Sequence, residues 1–212
     1  MAESISLKEA ERKVFTTAFQ DGLWDVLIGC FVLIFAITPF LSTKLGDFWS
    51  SAAFLPFWAA VYLAVRLIRR FVVTPRIGVV KLGQSRKLKL SRFVAVLAVV
   101  NGGGLLLGIL AAQFSDKPGW MILTPFALLM LTIFSVAGYS LDFPRLYLYG
   151  VLVALSPLVG EWLYATMGAS HHGFPITFGI TAGLMIIVGL IKFVLLLRDH
   201  PKPVDEPSAV ES

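Results

Sequence analysis

Cysteine is nearly absent: Cys30 is the single one among 212 residues. No intramolecular disulfide can form, and a thiolate-ligated metal centre, which needs several cysteines, is excluded. Charge is scarce as well. Asp, Glu, Lys and Arg make up 15% of the chain, against about a quarter in an ordinary soluble domain. Common catalytic signatures are missing. There is no Gly-rich phosphate loop ending in Lys-Ser/Thr, no HExxH and no Gly-x-Ser-x-Gly. No apolar run carries two carboxylates, or a serine with a histidine or lysine at catalytic spacing.

Apolar residues are abundant instead. They form 57% of the sequence, and the mean hydropathy is +0.82. A soluble globule of this length could not bury that much apolar surface and still show water a polar face. The expected class is an all-α integral membrane protein. Six runs, 23–41, 48–68, 93–114, 120–141, 146–167 and 174–197, each have about the 20 residues a helix needs to cross the hydrocarbon layer. They are continuously apolar rather than alternating, which favours helices over a barrel. Short joints at Ser42–Asp47, Ser115–Gly119 and Gly168–Gly173 imply three antiparallel hairpins. The transmembrane domain is thus expected over 23–197.

Lysine and arginine set the orientation. With both termini on one side, sixteen of the 18 fall there, and only Lys44 and Lys117 fall on the other. The positive-inside rule makes the crowded side cytoplasmic. Trp49, Trp120 and Trp162 then mark the outer interface, and Trp24, Tyr139, Tyr147 and Tyr149 the inner one. Residues 1–22 read as a cytoplasmic amphipathic helix, opened by the Ser6-Leu7-Lys8-Glu9 capping box and turning into the first span at Asp21-Gly22. The first apolar run is longer than the ~7–15 residues of a cleaved signal, so no cleavage is expected. The loop 69–92 carries Lys87-Leu88-Lys89-Leu90 after Gly83, a pattern suggesting a small cytoplasmic β-hairpin. The tail 198–212, with Pro201, Pro203, Pro207 and acidic residues, is expected to be disordered.

Few polar residues lie within the spans, and those few are the candidates. Glu161 lies 15 residues after Leu146, about 22 Å along the helix. Pro157 should kink the chain just before it. A carboxyl at that depth must be paired, hydrated or protonated. It could titrate or bind a cation in a solvated cavity, or reach the interface. Asn101 opens Asn101-Gly102-Gly103-Gly104, which reads either as a helix break that exposes backbone or as close packing. Asp25 sits one turn into the first span, near enough to the interface to stay hydrated or to pair with Arg145. His171 and His172 lie in an outer turn. With Glu161 they form a chemically permissible ligand set. Adjacent histidines seldom aim at one point, however, and no metal or cofactor is expected.

The small-xxx-small pairs Gly104/Gly108 and Gly179/Gly183 are candidate helix-packing positions. Arg69, Arg70, Arg76, Lys81, Arg86, Lys87, Lys89 and Arg92 form a basic face. It suits anionic lipid headgroups or an acidic partner, at about 1 kcal/mol per cation. Its other reading is simple enforcement of topology. No aromatics interleave these cations as base-stacking would need, so nucleic acid is not expected. The expected partners are the bilayer, a second copy or another membrane protein. Three functions are compatible with this sequence. The first is a non-catalytic scaffold or assembly subunit of a membrane complex, favoured by the scarcity of polar residues in the spans. The second is a small oligomeric transporter or channel using Glu161 and the 101–104 break. The third is an intramembrane enzyme acting on lipid.

Overall fold

The computed structural model describes residues 21–77 and 119–201. Most of the expected amphipathic helix, the β-hairpin-like loop beyond Ile77, the third span with Asn101, Gly104 and Gly108, and the tail from Lys202 lie outside the described residues. Every regular element among the described residues is a helix. Helix α1 covers Leu23–Leu45, α2 Asp47–Ala52 and α3 Phe54–Ile68. A π-helical turn, Arg69–Val73, leads into α4, Thr74–Ile77. Helices α5 (Gly119–Ser140), α6 (Arg145–Met167) and α7 (Phe174–Asp199) follow, with a 3₁₀ turn at Ser170–Gly173 before the last. Five helical stretches are long and apolar enough to cross a membrane, which is compatible with an integral membrane protein.

Two expected boundaries move. Residues Ser42–Asp47 do not form a turn, because α1 runs on to Leu45 and only Gly46 breaks it. The hydroxyls there bond inward, Ser42 to the Pro39 carbonyl at 3.1 Å and Thr43 to that of Phe40 at 2.8 Å. This lets polar residues stay helical with little water. The second correction concerns the basic loop. The chain remains helical through Ile77 instead of leaving the helix at Arg69. Pro75 cannot donate a backbone hydrogen bond. The widened π turn absorbs the mismatch, and the Thr74 hydroxyl donates to the Arg69 carbonyl at 2.9 Å.

The α5–α6 corner is a Schellman close. Asp142 adopts φ 50°, and the Phe143 N–H reaches back to the Gly138 carbonyl at 3.0 Å. The two helices then pack along their length, with Gly150 accepting the Phe134 side chain. Helix α1 packs most extensively not on its sequence neighbour α3 but on α7, at the far end of the chain. The register is antiparallel: Gly22 meets Gly189, Gly29 meets Ala182 and Ile186, and Ala36 meets Gly179. Small residues spaced by seven on α1 let the backbones close up. The expected pair Gly179/Gly183 contributes little to this contact. A Cβ on Gly183 would find no described atom within 4 Å, and one on Gly179 only Ala36. The common core of α1, α5, α6 and α7 centres on Val32, Phe134, Tyr149, Val153, Phe178, Ala182 and Met185.

Candidate functional site

The three expected intramembrane candidates do not converge. Asn101 is outside the described residues. Glu161 and Asp25 lie at opposite ends of the bundle: Asp25 bonds to Tyr149, and Glu161 is twelve residues further along α6, about 18 Å away at 1.5 Å per residue. Each end has its own polar assembly.

At the end bearing the N-terminus of α1, two aspartates one helical turn apart, Asp21 and Asp25, are both 0% exposed. The expectation that Asp25 stays hydrated is therefore corrected. The close α1–α7 approach and α6 together cover it, and protein groups replace water. The Tyr149 hydroxyl donates to Asp25 Oδ1 at 2.6 Å, and Arg145 Nη1 lies 2.8 Å from Asp25 Oδ2. Neither Arg145 Nη1 nor Asp25 Oδ2 meets hydrogen-bond alignment, so that contact is an ion pair rather than a directed bond. Arg145 also covers the Phe143 ring, 4.8 Å from its centroid. Asp21 accepts from the Leu23 backbone N–H at 3.0 Å and is ion-paired with Arg69. The π turn aims Arg69 back across the Trp24 ring, 5.3 Å from its centroid. Two carboxylates and two guanidiniums thus tie α1, the end of α3 and the start of α6 into one neutral cluster.

Burial raises the Asp21 carboxyl above its ordinary 3.8, and Arg69 offsets this only in part. The folded chain therefore holds that proton more tightly than the unfolded chain does. The stability contributed by Asp21 is complete below pH 3.8 and is lost as pH rises through the higher folded value. Chemical-denaturation midpoints of wild type and Asp21→Asn, measured across the acid range, should diverge in that sense. Parallel curves would contradict it.

At the other end, Glu161 accepts a hydrogen bond from His172 Nδ1 at 2.9 Å. The turn that delivers His172 is unusual. His171 and His172 adopt φ 52° and 54°, and Gly173 follows at 63°. Non-glycine residues visit this left-handed region at a cost of roughly 1–2 kcal/mol each. The turn is held there because it sits on α6: a Cβ on Gly160 would lie 2.8 Å from the His172 carbonyl oxygen, and one on Gly173 2.6 Å from the Gly160 carbonyl oxygen. The His172 ring packs beside Tyr164, with centroids 4.3 Å apart, and His171 meets the edge of Phe40 at 5.2 Å. A cleft of 320 Å³ opens here, lined by Thr38, Pro39 and Ser42 of α1, Ser50 of α2, both histidines and Phe174.

The Glu161–His172 contact joins two of the three residues of the expected ligand set, and His171 turns instead to Phe40. No three His, Cys, Asp or Glu side chains among the described residues are placed to hold an ion. Of the basic face, Arg69 joins the buried cluster, Arg70 lies over the Phe71 ring and Arg76 is half-buried. Lys81, Arg86, Lys87, Lys89 and Arg92 lie outside the described residues. Sequence reasoning missed Asp21, read as a turn marker, and Tyr149, read as an interfacial aromatic. The one available signal was the i, i+4 spacing of Asp21 and Asp25. No family model, curated protein or solved structure matches the chain.

Proposed function

We propose that the chain is a six-span membrane protein of three hairpins, with both termini cytoplasmic, that serves as a non-catalytic scaffold or assembly subunit of a membrane complex. One observation carries this reading. Among the described residues, the apolar window of the span Phe48–Arg76 contains no buried residue, against 44% buried for that of Arg145–Met167. Lipid alone could cover leucines there without penalty. It offers no acceptor to Tyr62, which lies one turn before Arg66 on that span, 55% exposed, with no hydrogen bond to its hydroxyl among the described residues. A bare hydroxyl in hydrocarbon is unfavourable by several kcal/mol on transfer scales, about 4–8 with no compensating bond. A transmembrane helix of a partner subunit that offers an acceptor would remove that penalty.

A photoreactive residue at position 62 or 55 in native membranes should therefore give a discrete protein adduct. Tyr62→Phe should reduce recovery of the same complex. Adducts to lipid alone, with a purified monomer unaccompanied by protein, would defeat the proposal.

The cleft beside Glu161 favours a second reading, a small oligomeric transporter or channel. The core between the two ends is closed: Val153, Phe178, Ala182 and Met185 are 1%, 2%, 0% and 0% exposed. Transport would require these to part. Reconstituted vesicles without flux of protons, ions or small solutes would remove this alternative.

A further inference from the structure

The histidine end carries a site that the assembly role does not use. Four features meet there. The cleft, at 320 Å³, is of ligand-binding size. Two successive histidines are held in left-handed backbone to line it, and strain of this kind is characteristic of functional sites. Glu161, one of the few acids within the spans, braces one of these histidines from behind. Aromatic faces from Phe174 and Tyr164 flank the same imidazole, with centroids 5.9 and 4.3 Å away.

Three groups of the lining are turned into acceptors by their own hydrogen bonds. The Thr38 hydroxyl spends its proton on the Ile34 carbonyl at 2.8 Å, and Ser42 spends its own on that of Pro39. Their oxygens therefore face the cleft as acceptors. His172 donates Nδ1–H to Glu161, which in the neutral ring leaves Nε2 as a lone-pair acceptor. No lysine or arginine among the described residues lines the space. Acceptors, ring faces and a carboxylate call for a cationic donor with several N–H groups.

We propose that this cleft binds a primary ammonium group, carried either by an aminophospholipid headgroup or by a small free alkylamine. The cleft lies at the helix ends, the level of headgroups if the bundle spans a bilayer, so both sources could reach it. Glu161 supplies the counter-charge through His172, Thr38 and Ser42 accept N–H bonds, and Phe174 covers the carbon chain.

The chain contains three histidines, and ¹⁵N-histidine labelling of the full protein makes each ring a reporter. In nanodiscs of phosphatidylglycerol, which holds no amine, ethanolamine should shift the His171 and His172 ring nitrogens saturably and leave His200 unmoved. Phosphatidylethanolamine nanodiscs separate the sources. If they produce the shift without added amine and abolish the response to it, the headgroup is the ligand. If only free ethanolamine acts, the ligand is a soluble amine. Glu161→Gln keeps an acceptor for His172 but removes the charge, and should weaken binding about tenfold. Thr38→Val, close in shape, should weaken it several-fold, and it provides the test if the Glu161 variant does not fold. Absence of any shift with either amine source, equal movement of His200, or the same shift with inorganic phosphate would each overturn the proposal. None of these outcomes bears on the partner adduct at Tyr62.

Discussion

Replacing Asp25 with alanine should destabilise the bundle by about 3–5 kcal/mol, the typical cost of breaking a buried pair from one side. The reason lies in what stays behind. Asp25 is 0% exposed, and its removal leaves the Arg145 guanidinium, itself 23% exposed, without a counter-charge, and the buried Tyr149 hydroxyl without an acceptor. Asp25→Asn keeps the acceptor for Tyr149 and loses only the charge, so it should fall between alanine and wild type. Tyr149→Phe removes one hydrogen bond to a charged group and should cost about 1.5–3 kcal/mol. The double variant Asp25→Leu/Arg145→Met deletes both charges and should recover much of the stability, since a buried ion pair is often no better than apolar residues of similar volume. Unfolding in mild detergent, followed by circular dichroism, would rank the four. An Asp25→Ala variant within about 0.5 kcal/mol of wild type, the range of ordinary surface substitutions, would mean that water reaches the cluster and the pairing carries no weight.

Five long apolar helices were legible because hydrocarbon imposes a simple rule, about 20 apolar residues in a row. Their ends were less so. At Leu45 the helix outlasts its apolar run because the Ser42 and Thr43 hydroxyls turn inward to carbonyls. At Ile77 it outlasts Pro75 because a π turn makes room for the missing N–H. Neither event has a hydropathy signal. Packing was misread for a related reason. A search for glycines four apart finds Gly179/Gly183, whereas the close approach uses Gly22, Gly29 and Ala36, spaced by seven and meeting a helix more than 140 residues later.

The candidate sites show the same divide between local cost and distant partner. Glu161 and Asp25 are identifiable from sequence as groups that need explaining, because an acid in an apolar run is costly wherever it points. What explains them is not local. Asp25 meets Tyr149 across 124 positions, and Asp21 meets Arg69 across 48. Even the eleven-residue separation of Glu161 and His172 misleads. Continued as a helix, the two would share a face but lie about 16 Å apart along the axis at 1.5 Å per residue. They meet because Gly160 and Gly173 let the turn collapse onto α6, which forces the histidines into left-handed backbone.

Alanine at Gly22 should be the most damaging of the conservative glycine substitutions, and the chain provides the controls that separate its causes. Gly22 has φ +79°, and a Cβ there would overlap the Gly189 carbonyl oxygen and lie 2.8 Å from the Phe193 nitrogen. Left-handed backbone contributes roughly 1–2 kcal/mol, and overpacking against backbone a further ~1–3 kcal/mol. Gly168, also left-handed at φ 65° and ψ 28° and with no described atom within 4 Å of a Cβ, carries the first penalty alone. Gly189 lacks a left-handed φ but would place a Cβ 2.7 Å from the Gly22 carbonyl oxygen, so it carries the second alone. Gly183 carries neither, and alanine there should be neutral or slightly stabilising, since glycine within a helix is worse than alanine by about 0.5–1 kcal/mol. The expected order of destabilisation is therefore Gly22→Ala first, then Gly189→Ala and Gly168→Ala, with Gly183→Ala last. Gly22 and Gly189 also share one contact, so their double variant should lose less than the sum of the two. If Gly22→Ala costs no more than Gly168→Ala, α1 and α7 are not in backbone contact. The seal they place over Asp25 would then have to be attributed to something else.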